Sequence, residues 1–75
     1  MNNRRRQKLR IALTELENAH SIVSDVYDEE SDSLSNMPEN FESSDRYMDI
    51  ESNVDHLEEI QSDIYDIINT LSELL

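Results

Sequence analysis

The stretch Leu9-Arg10-Ile11-Ala12-Leu13-Thr14-Glu15-Leu16-Glu17-Asn18-Ala19-His20-Ser21-Ile22-Val23-Ser24-Asp25-Val26-Tyr27 decides the fold. Leu9, Leu13, Leu16, His20, Val23 and Tyr27 recur in alternating steps of four and three. That is the spacing of a heptad seam, with Leu9, Leu16 and Val23 at d and Leu13, His20 and Tyr27 at a. Ala12, Ala19 and Val26 fall at g and widen the stripe. No run of period-2 alternation competes with this reading, so the stretch is an amphipathic helix.

The same pattern returns downstream. Tyr47, Ile50, Val54, Leu57, Gln61, Ile64, Ile68, Leu71 and Leu75 step by three and four, with Ile60, Ile67 and Leu74 at g. Between the two arms lies Leu34-Ser35-Asn36-Met37-Pro38, in which Asn36 suits a left-handed helix cap and Pro38 forbids continuation. Pro38-Glu39-Asn40-Phe41 is suited to a single helical turn. Ser43 or Ser44 then caps a second long helix, whose first turn carries Asp45. These signals predict a first helix at about 4–34, a turn at about 35–43 and a second helix at about 44–74.

Composition removes the alternatives. The 75 residues contain no Gly, no Cys and one Pro, whereas average usage would supply about 5 Gly and 4 Pro. A sandwich or barrel lacks its turn residues, and a disulfide framework or thiolate zinc site lacks its ligands. The longest apolar runs are two or three residues, so no membrane span and no signal-peptide core is expected. The predicted class is an all-α, antiparallel, coiled-coil-like two-helix hairpin forming one domain over 1–75, in the cytoplasm.

Folding back at the turn predicts a register in which facing residues sum to about 77. Leu9 then meets Ile68, Leu13 meets Ile64, Val23 meets Val54 and Tyr27 meets Ile50. Two helices cannot cover a stripe three positions wide, and Val26, Ile60, Ile67 and Leu74 stay partly exposed. A homodimer forming a four-helix bundle buries them. The expected core and dimer residues are Leu16, His20, Val23, Leu57, Ile60, Gln61, Ile64 and Ile67.

Charge is distributed as unevenly as hydrophobicity. Eighteen acids against six bases give a formal net charge of −12. Five of the cations, Arg4, Arg5, Arg6, Lys8 and Arg10, lie within the first ten residues. Beyond them only Arg46 is basic. Asp45, Asp49, Asp55, Glu59, Asp63 and Asp66 recur along the second helix on its non-apolar side, and Asp25, Asp28, Glu29 and Asp32 cluster near the turn. Helical neighbours four apart bring Cβ atoms to about 6 Å, comparable with phosphate spacing along a nucleic-acid strand. The acidic face therefore suits a basic protein surface, and its plainer role is solubility.

The stretch Asp28–Tyr47, with Asn36-Met37-Pro38-Glu39-Asn40 at its centre, resembles the turn of a loosely defined set of short acidic helical-hairpin proteins. These are encoded by bacteria, phages and mobile elements. The likeness extends over about 28–75, with Phe41 and Ser43 where a Leu and a Gly are frequent in the group. Most of the group has no assigned function. The resemblance implies a mobile-element origin and supplies no active site.

Chemistry finds little to work with. Glu17-Asn-Ala-His20 has the Glu-x-x-His spacing of carboxylate-bridged di-metal bundles. The neighbouring helix, however, is expected to offer Leu57, Ile60 and Gln61 there instead of an inward carboxylate. His20 and Gln61 read more simply as a polar layer that fixes register. No phosphate loop, catalytic pair or activated nucleophile is present, so no catalytic, cofactor or metal residues are expected. The reading is a non-enzymatic acidic protein-binding module, in its sharper form an inhibitor that mimics nucleic-acid charge. The alternative is a small dimeric nucleic-acid-binding protein using Arg4, Arg5, Arg6, Lys8 and Arg10. Pairing of Arg4, Arg5 and Arg6 with the C-terminal end of the second helix is the plainer account of those cations.

Overall fold

A computed structural model describes residues 1–41 and 44–75 and is a two-helix hairpin. Helix α1 spans Asn3–Ser35 and helix α2 spans Asp45–Glu73, with a 3-10 turn at Glu39–Phe41 between them. The described residues contain no strand. The molecule is a rod of 59 × 14 × 14 Å with a radius of gyration of 17.2 Å, where a compact chain of this length would have about 11 Å.

Local chemistry sets the helix ends. Asn2 precedes α1 in an extended conformation, and its side-chain oxygen accepts the Arg5 N–H at 2.9 Å. Ser44 does the same for α2, accepting the Tyr47 N–H at 3.1 Å, and Asp45 places a carboxylate in the first turn. Each cap satisfies one of the orphan donors that every helix start exposes. The other candidate cap, Ser43, lies outside the described residues.

The C-terminal end of α1 differs from the expected left-handed cap. Asn36 sits at φ −90°, ψ −2°, on the right-handed side, and no described residue has positive φ. The orphan carbonyls are met by tightening instead. Asn36 N–H reaches Asp32 O at 3.0 Å and Met37 N–H reaches Leu34 O at 3.3 Å. Pro38 supplies the stop by itself, because its ring drives Met37 out of helical geometry.

The seam runs the length of both helices. Leu9, Leu13, Leu16, His20, Val23, Tyr27 and Leu34 are half-buried on α1, and so are Tyr47, Ile50, Val54, Leu57, Gln61, Ile64, Ile68 and Leu71 on α2. Among the described residues none is fully buried. Two helices touch along one line, so every seam side chain keeps one flank in water.

The register lies one heptad from the expected one. Asn53 donates to Glu30 at 3.3 Å, Gln61 donates to Ser24 at 2.7 Å, and the His20 and Tyr65 rings lie 6.2 Å apart. The residue numbers of these pairs add to between 83 and 85, not to about 77. Seam partners on this register are Leu13 with Leu71, Leu16 with Ile68, His20 with Ile64 and Tyr27 with Leu57. The earlier pairs, Leu9 with Ile68 and Val23 with Val54, do not face. A slip of seven residues returns every a and d position to the seam, so the apolar match is equally good in both registers.

Candidate functional site

The acidic face is built by the same periodicity that builds the seam. With a and d turned inward, positions b, c and f of α2 point away from α1. Asp55 falls at b, Asp49 and Asp63 at c, and Asp45, Glu59 and Asp66 at f. All six are exposed. They extend over 22 residues, about 31 Å of helix. No ion pair joins any two described residues, so these carboxylates face solvent without a described cation to neutralise them. Asp25, Asp28, Glu29 and Asp32 are likewise exposed, on the outward side of α1 near the turn.

The basic residues are placed differently from expectation. On the observed register Leu9 stands level with Leu75, so Arg4, Arg5 and Arg6 lie past the end of α2. None of Arg4, Arg5, Arg6, Lys8 and Arg10 is in an ion pair with a described residue. The expected pairing with Glu73 and the chain carboxylate does not form. Arg6, at a seam position, is half-buried, and the other four are exposed.

His20 and Gln61 do not form one polar layer. They occupy successive levels of the seam, opposite Ile64 and Val23, and their numbers, adding to 81, place them on separate levels in the expected register as well. Gln61 is satisfied by the Ser24 hydroxyl, while the His20 ring stands tilted at 46° to Tyr65. Glu17 is exposed. No group of three His, Asp or Glu side chains able to hold a metal occurs among the described residues.

The periodicity also continues through a position that apolar spacing overlooks. Glu30 occupies the d position between Tyr27 and Leu34, and is half-buried with Asn53 as its hydrogen-bond donor. Extending the heptad count past Tyr27 would have found it. Ile11 and Ile22 are the most exposed large apolar side chains, on the outward side of α1. Their eleven-residue separation puts them on one line along the helix.

The g positions form a second, apolar surface. In an antiparallel pair the g flanks of both helices lie on one side. On the observed register they make three rungs: Ala12 with Leu74, Ala19 with Ile67 and Val26 with Ile60. Val26 is 41% exposed, Ile60 43%, Ile67 53% and Leu74 53%. Shallow grooves open along this flank. One of about 370 Å³ is lined by Val26, Leu57 and Ile60 with Glu30, Asn53 and His56. Another of about 400 Å³ lies between Asp66, Ile67, Thr70, Leu71 and Leu74. The opposite flank carries Arg10, Glu17, Ser24, Glu51, Glu58 and Ser72, with Tyr65 as its one large ring.

Comparison with protein-family models, with curated proteins and with solved structures finds no match to this chain. No helix among the described residues is long and apolar enough to cross a membrane.

Proposed function

We propose that this protein is a non-enzymatic, cytoplasmic protein-binding module that self-associates and presents an acidic rod to a basic partner surface. In its sharper form it is an inhibitor of mobile-element or phage origin that occupies a nucleic-acid groove on a host or defence protein. One observation carries the reading: Asp45, Asp49, Asp55, Glu59, Asp63 and Asp66 line one outward face of a straight helix with no described cation against them. A rigid row of uncompensated carboxylates steers toward positive surfaces and repels nucleic acid. The two grooves are shallow and carry no convergent catalytic groups, which fits binding better than chemistry.

The test is capture from a bacterial lysate with the wild-type protein and with the variant Asp55→Asn, Glu59→Gln, Asp63→Asn, Asp66→Asn. The expected outcome is a retained protein that the variant loses, that elutes with salt, and that duplex DNA displaces. Retention unaffected by the four substitutions and by DNA would overturn the mimicry.

A second reading rests on the unpaired cations of residues 4–10, which are available for phosphate contacts. Gel-shift titration at low salt tests it. Absence of retardation with duplex and single-stranded probes removes it.

A further inference from the structure

We infer that the flank formed by Ala12, Ala19, Val26, Ile60, Ile67 and Leu74 is covered by a second copy of this chain, with the two hairpins running in opposite directions. This rests on the self-association reading above and adds its surface and its orientation. Three observations converge on it.

The first is area. The chain exposes 5739 Å², whereas a compact monomer of 8.8 kDa would expose about 4,800 Å². The excess of roughly 900 Å², spread along the whole rod, is enough to supply the ~800 Å² that each partner buries in a standard interface. A helix apolar at a, d and g is one built to touch two neighbours rather than one.

The second is shape. Small residues dominate the flank on α1 and large ones on α2. With Ala19 and Ile67 at the dyad, α1 lies against α1 through Ala12, Ala19 and Val26. The two α2 helices then meet through Ile67 at the centre, with Leu74 of each over the partner's Ile60. The grooves beside Ile60 and beside Leu74 each receive a side chain from the other copy.

The third is charge, and it selects the orientation. Residues 4–10 of α1 carry five cations, and residues 25–32 carry five acids: Asp25, Asp28, Glu29, Glu30 and Asp32. Antiparallel packing of α1 about Ala19 sets Lys8, at c beside the flank, level with the partner's Glu30, and brings Arg5, at g, within about one turn of the partner's Glu29 and the partner's Glu30. These cations have no described ion-pair partner within their own hairpin. The parallel arrangement would instead stack both acidic turn ends together and leave the cations beside Glu73 alone. Like charges at close range make that pairing costly.

The experiment combines stoichiometry with one distance. The sequence has no Cys, so Ser35→Cys, an exposed position at the turn end of α1, takes a single spin label. Light scattering at micromolar concentration should give twice 8.8 kDa, and pulsed dipolar spectroscopy a label separation of about 50 Å, from twice sixteen residues of helical rise. A parallel dimer would give a separation below about 30 Å, set by neighbouring helices 8–10 Å apart plus label reach. That result overturns the orientation and leaves self-association standing. A monomer at every concentration, with helicity retained, overturns both. Ile67→Glu should give a monomer with unchanged helical circular dichroism, since Ile67 is more than half exposed in the hairpin. An Ile67→Glu protein that remains dimeric overturns the choice of flank.

Discussion

The two helices share a seam and an apolar flank, yet their charges are organised in opposite ways. Helix α1 separates five cations at one end from five acids near the other and has a net charge of only −2. Helix α2 carries nine acids and Arg46, a net charge of −8, distributed from end to end. A helix with separated charge complements an inverted copy of itself. In the inferred dimer helix α2 meets its own copy only through Ile60, Ile67 and Leu74, and its outward carboxylates repel anions and attract something basic. On the proposed function the difference divides labour: α1 serves self-recognition, and the outward face of α2 a partner of another kind.

The largest effects should fall where that division is removed outright. Neutralising Asp55, Glu59, Asp63 and Asp66 should abolish salt-sensitive partner capture while light scattering still reports a dimer, because none of the four is at a g position and only Asp66 borders a groove on that flank. Loss of the dimer in this variant would mean that the two functions are not separable by face. Conversely, Ile67→Glu should weaken self-association by at least about 100-fold, since two carboxylates would meet at the dyad without a counter-charge. Its affinity for a partner on the outer face should change little apart from any loss of avidity. Sedimentation across a dilution series measures the first quantity.

Charge reversal on α1 sharpens the contrast further. Arg5→Glu with Lys8→Glu replaces attraction by repulsion at both ends of an antiparallel dimer. Exposed pairs contribute up to about 1 kcal/mol each, so the dissociation constant should rise roughly tenfold at low salt. The difference should shrink as added salt screens it. An unchanged constant would break the argument from α1 complementarity while leaving the apolar flank in place. Helix capping sits lower again. Ser44→Ala removes the acceptor for Tyr47 N–H and should cost about 1 kcal/mol of hairpin stability in thermal unfolding. A loss below about 0.3 kcal/mol would mean that the cap contributes nothing at that end.

Seam and turn were legible from residue spacing for a physical reason. Apolar period and Pro38 act locally, and both survive whatever the helices later pack against. Leu13, Leu57 and Ile64 could therefore be placed on the seam without any tertiary information. Asn36 was misread because a left-handed cap is only one way to satisfy the last carbonyls, and Pro38 makes it unnecessary. The acidic face followed directly from the seam, being its complement. The position of the basic arm did not, because it depends on register, and an apolar heptad match is degenerate under a slip of seven residues.

Polar side chains break that degeneracy. On the observed register Gln61 reaches Ser24 and Asn53 reaches Glu30. A slip back by one heptad would set Gln61 against Leu16 and leave Glu30 beside Tyr47, with neither amide pair made. The amide therefore selects register more than it adds stability, the role a seam Asn plays in coiled coils. Gln61→Leu should leave the unfolding free energy within about 1 kcal/mol of wild type, because an apolar side chain replaces a hydrogen bond of similar net contribution. The selectivity should suffer instead. Amide resonances of α1, expected as one set in the wild type, should acquire a second set as the slipped hairpin gains population, most visibly at Arg4–Arg6, which would then lie beside the end of α2. A single set of resonances in Gln61→Leu, together with a clear loss of stability, would show that Gln61 holds the hairpin together without choosing its alignment.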